Sequence, residues 1–246
     1  MAILTASIVL FNTPQSQIDT IINAVLNSGC VKRLYVIDNS ATDSNRRYFT
    51  NFDFIDYIAH GNTGYGSSHN IALKMAIEFG SDYHVVLNPD IEFDSNVLSQ
   101  LESYMEQNKD VVYILPKVIY PNGELQYLCK LLPNPFNLIF RRFIPNSKWA
   151  IKSDEKYALK YSGYNRIMNP PCLSGCFMFL RVHTLKEHNL FFDEQYFMYL
   201  EDYDLMRRLH RIGKTIFYPE VTIIHNHAKE SYKSKKNAED TYSISY

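Results

Sequence analysis

The chain has 246 residues, 46% of them hydrophobic, which is enough for one large α/β domain or two small ones. Its formal net charge is −1, so it lacks the excess of basic residues that a nucleic-acid-binding protein normally carries. Its four cysteines are too few and too scattered for a disulfide scaffold, and we expect reduced thiols in a cytosolic protein.

The N-terminal apolar run, residues 2–11, is predicted to be a buried strand. No basic segment precedes it, and Asn12-Thr13-Pro14 ends it early, which argues against a signal peptide. No other segment approaches the roughly 18–20 apolar residues that a membrane span requires.

The first half of the chain alternates between strand and helix patterns. Helices are predicted where apolar residues recur every three or four positions, and strands where short β-branched runs occur. Further strands are predicted over 33–38, 54–59, 83–87 and 111–115, and helices over 14–27, 67–79 and 95–107. This alternation predicts an α/β fold with a mostly parallel central sheet flanked by helices.

The pattern changes after Pro116. A turn is predicted at 121–123, strands at 173–180, 215–218 and 221–224, and a helix at 202–211. Residues 229–246 are polar and are expected to form a tail. We therefore expect a single domain over residues 1–228.

Polar residues follow several of the predicted strands. Asn12, Asp38, Asn62 and Asp90 each come just after a strand. Ligands of parallel sheets bind beyond the carboxyl ends of the strands, so these side chains are expected to gather at one rim and form a binding cleft.

The segment from Gly61 to Gly66 contains three glycines and precedes the helix that carries Asn70. Glycine lets a backbone approach a ligand, and a helix N-terminus favours an anion. The segment is not the dinucleotide fingerprint and does not follow the first strand, which excludes a nicotinamide cofactor. Taken alone, it fits a plain strand-to-helix turn better.

Two acidic clusters stand at element ends. After Asn88-Pro89, Asp90 could bind a divalent cation that bridges two phosphates, or it could be an ordinary loop acid. In the second cluster, from Glu201 to Asp204, helix capping and first-turn charge account for two of the three acids. The remaining acid is available as a general base.

His225 and His227 end the last apolar strand. A single histidine in such a place is more often structural, but two together after an acidic segment favour metal coordination.

Several motifs occur together in one order along the chain. Together they resemble the family 2 glycosyltransferases of GT-A fold, and specifically their bacterial rhamnosyltransferase-like branch. The resemblance spans about residues 3–227. It is carried by Val9-Leu10-Phe11-Asn12, Ile37-Asp38-Asn39-Ser40, Gly61-Asn62-Thr63-Gly64-Tyr65-Gly66 with Asn70, Leu87-Asn88-Pro89-Asp90, Ser174-Gly175-Cys176-Phe177-Met178 with Arg181, residues 192–205 with Arg208, and His225.

The resemblance implies an inverting transfer of a sugar from a nucleoside diphosphate. It implies a nucleotide-binding half over 1–115 and a smaller acceptor-side, catalytic half over 116–228. Asp202 would be the general base and Glu201 would position the acceptor. Asp90 would bind Mg²⁺ or Mn²⁺ with His225, or with His227 as its substitute. The donor would be bound by Phe11, Asn12, Asp38, Asn62, Gly64, Asn70, Asn88, Ser174 and Gly175.

The chain departs from the family pattern at Asn88, where the D-x-D motif has an acid. It also lacks the glycine that often follows the histidine, so either His225 or His227 could be the ligand. The branch implies rhamnose from dTDP-rhamnose, with another hexose on UDP as the alternative. A glycan or lipid-linked acceptor in bacterial surface-polysaccharide synthesis, such as O-antigen, lipopolysaccharide or capsule, would fit.

The segment 133–149 combines bulky apolar residues with basic ones. It could contact the inner face of the plasma membrane, or it could be a helix that packs on the sheet with its basic side in water. Two other functions compete with glycosyl transfer: a sugar-phosphate nucleotidyltransferase, and a non-catalytic protein that binds sugar nucleotides or glycans. The former normally has a basic glycine-rich loop after its first strand, and Phe11-Asn12-Thr13-Pro14 is not one.

Overall fold

The computed structural model describes residues 2–132 and 147–226. The described strands are β1 (Leu4–Leu10), β2 (Val31–Asp38), β3 (Ile55–Ala59), β4 (Tyr83–Leu87), β5 (Ile91–Phe93), β6 (Val111–Ile119), β7 (Phe177–Arg181) and β8 (Lys214–His225). The described helices are α1 (Gln15–Ser28), α2 (Arg46–Phe49), α3 (Tyr65–Glu78), α4 (Val97–Gln107), α5 (Lys148–Tyr157), α6 (Val182–Glu187) and α7 (Glu201–Leu209), with a 3₁₀ turn at Lys160–Ser162.

The strands form one sheet in the order β3-β2-β1-β4-β7-β6-β8-β5. The four strands from β3 to β4 are parallel, β6 and β8 are also parallel, and β7 and β5 run antiparallel to their neighbours. The predicted α/β fold with a mostly parallel sheet is confirmed. Because β1, β2 and β4 are parallel neighbours, their carboxyl ends meet at one edge, where the predicted rim residues lie.

The sheet core follows from the apolar runs of the sequence. All seven residues of β1 and all five of β4 are buried. Helix α1 packs through Ile18, Ile21, Ile22 and Val25, each at most 1% exposed, and burial of each such side chain contributes roughly 1.5–3 kcal/mol. The helix ends at Gly29, whose φ of 64° lets its N–H donate to a carbonyl of the last turn.

A chain of polar side chains crosses the buried face between β1, β4 and α3. Ser7 Oγ lies 2.8 Å from His69 Nδ1 and 2.8 Å from His84 Nε2. Thr5 Oγ1 lies 2.8 Å from His84 Nδ1. All four side chains are fully buried. The network therefore ties α3 to the sheet through hydrogen bonds as well as apolar contacts.

The sequence predicted two separate strands at 215–218 and 221–224, but the structure has one strand, β8, over both. It is continuous because it pairs with β6 along its length, and a register shift opposite Pro116 and Lys117 absorbs the residues around Pro219. Strand β7 begins at Phe177, later than predicted, because residues 174–176 turn toward the candidate site. Helices α2, α5 and α6 and the three-residue strand β5 were not predicted from the sequence.

Candidate active site

Asp38 ends β2 and is 1% exposed. Its Oδ1 accepts the N–H of Ser40 at 2.9 Å, and its Oδ2 accepts Asn45 Nδ2 at 2.9 Å and the Tyr57 hydroxyl at 2.8 Å. Burial, and then the bond to Asp38, raise the pKa of Tyr57. The carboxylate is therefore occupied in shaping the rim loop 39–45.

Phe11 and Asn12 lie beside that loop. The Asn12 N–H donates to Ser40 Oγ at 2.9 Å, and Asn12 has a left-handed φ of 50°. Phe11 is 55% exposed. The exposed ring lies at the rim where a flat ligand could stack.

Asn39 joins this loop to α3. Its Nδ2 donates to Ser68 Oγ at 2.7 Å, and it lies 3.5 Å from Asn62 Oδ1. Asn62 Oδ1 also accepts the Gly64 N–H at 3.3 Å. Asn39 was quoted in a sequence motif but was given no role of its own. The structure shows that Asn39 connects the rim loop 39–45 to the glycine segment and to helix α3.

Gly64 is where the glycine segment meets the chain before α7. Its φ is 102°, and a Cβ there would overlap the carbonyl oxygen of Phe197. The next residue, Tyr65, donates its N–H to the same oxygen at 3.1 Å. Only glycine permits this backbone-to-backbone contact, which joins the two halves of the chain.

Asn70 makes a second contact between α3 and the segment that precedes α7. Its Nδ2 donates to the Phe192 carbonyl at 2.9 Å, and its Oδ1 accepts the Phe192 N–H at 2.9 Å. The side chain is 2% exposed. It can therefore shape a nucleotide pocket only through the segment that it holds, because both ends of its amide are already bonded.

The Tyr65 hydroxyl lies at the centre of the site. It is 2.9 Å from Asn88 Oδ1 and 3.1 Å from the Gly175 carbonyl oxygen. The Asn88 N–H donates to the Cys176 carbonyl at 2.9 Å, so the end of β4 is bonded to the segment before β7. Burial raises the pKa of Tyr65 well above its usual value, and this keeps the phenol a donor. Sequence reasoning gave Tyr65 no role.

Asp202 lies in the first turn of α7. Its Oδ2 accepts the Gly175 N–H at 3.0 Å, and its Oδ1 accepts the Tyr203 N–H at 2.8 Å. A Cβ at Gly175 would come within 2.7 Å of Asp202 Cβ. Ser174 precedes this contact, and its carbonyl accepts the Tyr113 hydroxyl at 2.7 Å. The carboxylate is thus oriented by two backbone N–H groups.

None of the acids of α7 occupies the N-cap position, which the sequence interpretation had assigned to one of them. The residue before the helix is Leu200, at a φ of 72°, and it provides no side-chain cap. Asp204 pairs with Arg208 at 2.6 Å. Glu201 is 6% exposed, and within the described residues its Oε2 has no hydrogen-bond partner. Burial, and then the nearby Asp202, raise the pKa of Glu201. Little of its carboxylate remains for an acceptor to touch.

Asp90 and His225 meet at the end of the sheet. Asp90 Oδ1 lies 3.3 Å from His225 Nε2, and the Asp90 carbonyl accepts the Asn226 N–H at 2.9 Å. Burial lowers the pKa of His225, but the hydrogen bonds to Asp90 and Cys176 outweigh it and raise the value to about 10. His227 lies outside the described residues.

A divalent cation fits this pair as a partial site. Within residues 2–132 and 147–226, no group of three or more His, Cys, Asp or Glu side chains is placed to hold a metal ion. Asp90 and His225 offer one carboxylate and one imidazole nitrogen facing each other. Mg²⁺ and related ions are commonly held by one or two protein ligands with substrate phosphates completing the shell. The donor set therefore suits a cation that arrives with a diphosphate.

The segment 133–149 is mostly outside the described residues. Of it, Lys148 and Trp149 are both exposed, Trp149 at 76%. Within the described part of the chain, no helix has both the length and the apolar character that crossing a bilayer requires.

A family model described as "Glycosyl transferase family 2" matches residues 5–204. No curated protein sequence is significantly similar to this chain. Solved structures with similar folds include residues 1–349 of Staphylococcus aureus TarS with UDP-GlcNAc, at a TM-score of 0.61 and 13% identity over 92% of this chain. The mannosyltransferase PcManGT from Pyrobaculum calidifontis, with GDP-Man and Mn²⁺, has a TM-score of 0.63 and 13% identity over 95%. GalNAc-T7 with UDP, GalNAc and Mn²⁺ has a TM-score of 0.65 and 12% identity over 91%.

These likenesses confirm the GT-A fold that the sequence resemblance implied. This chain spans 60% of the TarS fragment, 59% of the mannosyltransferase and 44% of GalNAc-T7, less than two thirds of each.

Proposed function

Because this chain belongs to glycosyltransferase family 2, we propose that it is an inverting enzyme that moves a sugar from a nucleoside diphosphate to an acceptor hydroxyl. The family sets aside the nucleotidyltransferase and non-catalytic alternatives. The observation that carries the mechanism is the Tyr65 hydroxyl, which contacts both Asn88 and Gly175. Through it, the Asp90 side of the site and the Asp202 side are held together.

Asp202 is the general base. Its carboxylate takes the proton of the acceptor hydroxyl while the acceptor oxygen attacks the anomeric carbon of the donor. A new bond forms between that carbon and the acceptor oxygen, and the bond from the carbon to the diphosphate oxygen breaks. The nucleoside diphosphate leaves with the bonding electrons, and attack from the opposite face inverts the anomeric configuration. The N–H groups of Gly175 and Tyr203 hold the base in place for this step.

Asp90 and His225 are the residues that would hold Mg²⁺ or Mn²⁺. When bound, the cation would neutralise negative charge that develops on the diphosphate. Asn88 contributes no charge, and its Nδ2 lies 3.4 Å from His225 Nε2. His227 is the substitute ligand in this proposal. Two of the similar structures, GalNAc-T7 and PcManGT, contain Mn²⁺, which supports a metal here.

The nucleoside end of the donor would lie over the rim loop. Asp38 shapes that loop, Phe11 offers an exposed ring, and Asn62 and Gly64 border it. Rhamnose from dTDP-rhamnose is our best proposal for the donor, from the branch that the sequence resembles. The similar structures contain UDP, UDP-GlcNAc or GDP-Man, which supports a sugar nucleotide as the donor of this chain.

The acceptor is proposed to be a glycan or a lipid-linked saccharide of a bacterial surface polysaccharide. Glu201 is buried, so its part in positioning the acceptor would be played through the first turn of α7. Exposed Trp149 and Lys148 support a peripheral contact with the inner face of the plasma membrane from a cytoplasmic location.

Donor turnover tests the base assignment. The full chain is incubated with Mn²⁺ and dTDP-rhamnose, UDP-glucose, UDP-GlcNAc or GDP-mannose, and release of the nucleoside diphosphate is followed. Asp202→Asn should lower kcat by roughly 10²–10⁴-fold on the donor that is used.

The matched control is Asp204→Asn, which removes an acid two residues away that pairs with Arg208. It should retain activity within a few-fold. Full activity of Asp202→Asn would show that another residue is the base.

A further inference from the structure

Gln126 lies beneath the candidate metal site, although it belongs to no motif of the sequence. It is 5% exposed and follows the turn after β6, where its N–H donates to the Val118 carbonyl at 2.9 Å. Its side-chain amide contacts His225 twice. Nε2 donates to the His225 carbonyl at 2.9 Å, and Oε1 lies 3.0 Å from His225 Nδ1.

The orientation of this amide is fixed by its surroundings. Gln126 Nε2 lies near two carbonyl oxygens, those of His225 at 2.9 Å and of Ile119 at 3.3 Å. A carbonyl can only accept a hydrogen bond, so the amino group must face this way. The flipped amide would set its oxygen against both carbonyls and lose both bonds.

The fixed amide decides which nitrogen of His225 carries a proton. Gln126 Oε1 can only accept, so the facing Nδ1 must donate. When a cation takes the place of one ring proton, it is therefore Nε2 that gives up its proton and offers the lone pair, and this nitrogen lies 3.3 Å from Asp90 Oδ1. Histidines that ligate metals generally donate their other N–H to such an acceptor, which fixes both tautomer and ring orientation.

We propose that Gln126 is a positioning residue that holds His225 as an Nε2 donor to a divalent cation shared with Asp90. This rests on the proposed function, because it assumes that the cation is bound there. Gln126 touches neither the cation nor the substrate. It acts through the imidazole, by keeping the lone pair aimed at the Asp90 side.

A purely structural role would be different. The same amide also joins the ends of β6 and β8, since it bonds to Ile119 and to His225. If only those bonds mattered, any replacement that loses the amino group would be equally harmful. Gln126→Glu and Gln126→Met both lose it, but only Glu keeps an oxygen that can accept from Nδ1.

Mn²⁺ binding separates these possibilities. Free Mn²⁺ is measured by electron paramagnetic resonance during titration of the full chain, with UDP present. Gln126→Met should weaken Mn²⁺ binding roughly 10–100-fold. Gln126→Glu should stay within about threefold of wild type, by the same acceptor argument. UDP affinity in EDTA should be the same in all three proteins.

The control is Asn169→Leu, which removes an amide that accepts the Thr215 N–H at 3.0 Å near the opposite end of β8. It should leave Mn²⁺ affinity unchanged. Wild-type affinity in Gln126→Met, or equal losses in Gln126→Glu and Gln126→Met, would overturn the inference. If the wild type itself binds no Mn²⁺, the proposed metal site fails and the inference fails with it.

A measurement without variants gives a second test. In the protein loaded with Mg²⁺ and UDP, the ¹⁵N shifts of His225 should show a protonated Nδ1. A deprotonated Nδ1 would overturn the inference even if Gln126→Met did not fold.

Discussion

Gly175 and Asp202 are in direct contact, the backbone N–H of the first bonded at 3.0 Å to Oδ2 of the second. The contact has no room for another carbon, because a Cβ at Gly175 would come within 2.7 Å of Asp202 Cβ. The bare backbone of one segment is thus the support for the proposed base on another.

Gly175→Ala should therefore displace the carboxylate without removing it. A displacement of about 1 Å can cost about 10²-fold in rate, and we expect a loss in kcat of that order. Donor affinity should change little, although Gly175 was expected to bind the donor, because its N–H and its carbonyl are already bonded to Asp202 and Tyr65. Turnover and a nucleotide binding assay would measure the two effects. Gly61→Ala is the control, because a Cβ at Gly61 meets nothing within 4 Å. Equal activity of Gly175→Ala and wild type would contradict the proposed support.

Tyr65→Phe should destabilise the protein while leaving its shape intact. The substitution removes one hydroxyl and leaves Asn88 Oδ1 and the Gly175 carbonyl without their donor. Loss of such a buried partner costs about 1–3 kcal/mol of the free energy of unfolding, which urea denaturation would measure. Tyr161→Phe, at a residue 70% exposed, should change it by less than about 0.5 kcal/mol. Similar values for the two variants would contradict a bridging role for Tyr65.

Gly64→Ala combines two penalties that a second variant can separate. The φ of 102° disfavours a side chain, and the added Cβ would overlap the Phe197 oxygen. Gly80 has a φ of 77° but a Cβ there meets nothing within 4 Å, so Gly80→Ala measures the cost of a positive φ without a steric overlap, about 1–2 kcal/mol. Gly64→Ala should cost clearly more in urea denaturation and should raise KM for the donor. Equal destabilisation would show that the Phe197 contact is dispensable.

The buried histidines should make stability depend on pH. Burial lowers the pKa of His84 to about 3, and burial, together with the neighbouring His84, holds the pKa of His69 well below its usual value. In the unfolded chain both have a pKa of about 6.5, so between pH 6.5 and 3 the unfolded state binds more protons. Their contribution is therefore present above pH 6.5 and is lost as the pH falls, by about 1.4 kcal/mol per pH unit for His84 down to about pH 3 and in the same direction for His69.

Urea denaturation at pH 7.0 and 5.5 would measure this loss. His225 acts in the opposite direction, because its pKa is raised to about 10 and its stabilisation is fully present only below about pH 6.5. The comparison of wild type with His84→Gln isolates the contribution of His84. The variant should lose about 1 kcal/mol less than wild type over this interval. His183→Gln, at an exposed residue, should behave as wild type, and an unchanged loss in His84→Gln would contradict the prediction.

The sequence was most informative where the pattern of neighbouring residues alone determines a strand, a helix or a strand end. Continuous apolar runs predicted β1 and β4, and the periodic helix α1 was found within a residue of its predicted ends. Polar residues that follow strands predicted the rim, because parallel strands end together. Strand β5 was missed because three residues are too short for a pattern, and its pairing with β8 is decided by the tertiary structure.

The candidate site was harder to predict where a role depends on a distant partner. Tyr65 and Gln126 have no local signature, and their partners Gly175 and His225 lie 110 and 99 residues away. Glu201 and Asp202 are neighbours of similar chemistry, so the sequence could not show that one is buried and the other is held by a backbone N–H.

The same distances have a consequence for how the site forms. The amide of Asn70 bonds the Phe192 backbone across 122 residues, so the segment that leads to α7 is fixed only after both regions have folded. Contacts of such long range form late because the chain entropy of closing a long loop opposes them. Partly folded chains would contain the parallel strands β1 to β4 and yet bind no sugar nucleotide. Only fully folded molecules would therefore bind the ligand. The fraction of the protein that binds a sugar nucleotide would measure folding yield as well as function.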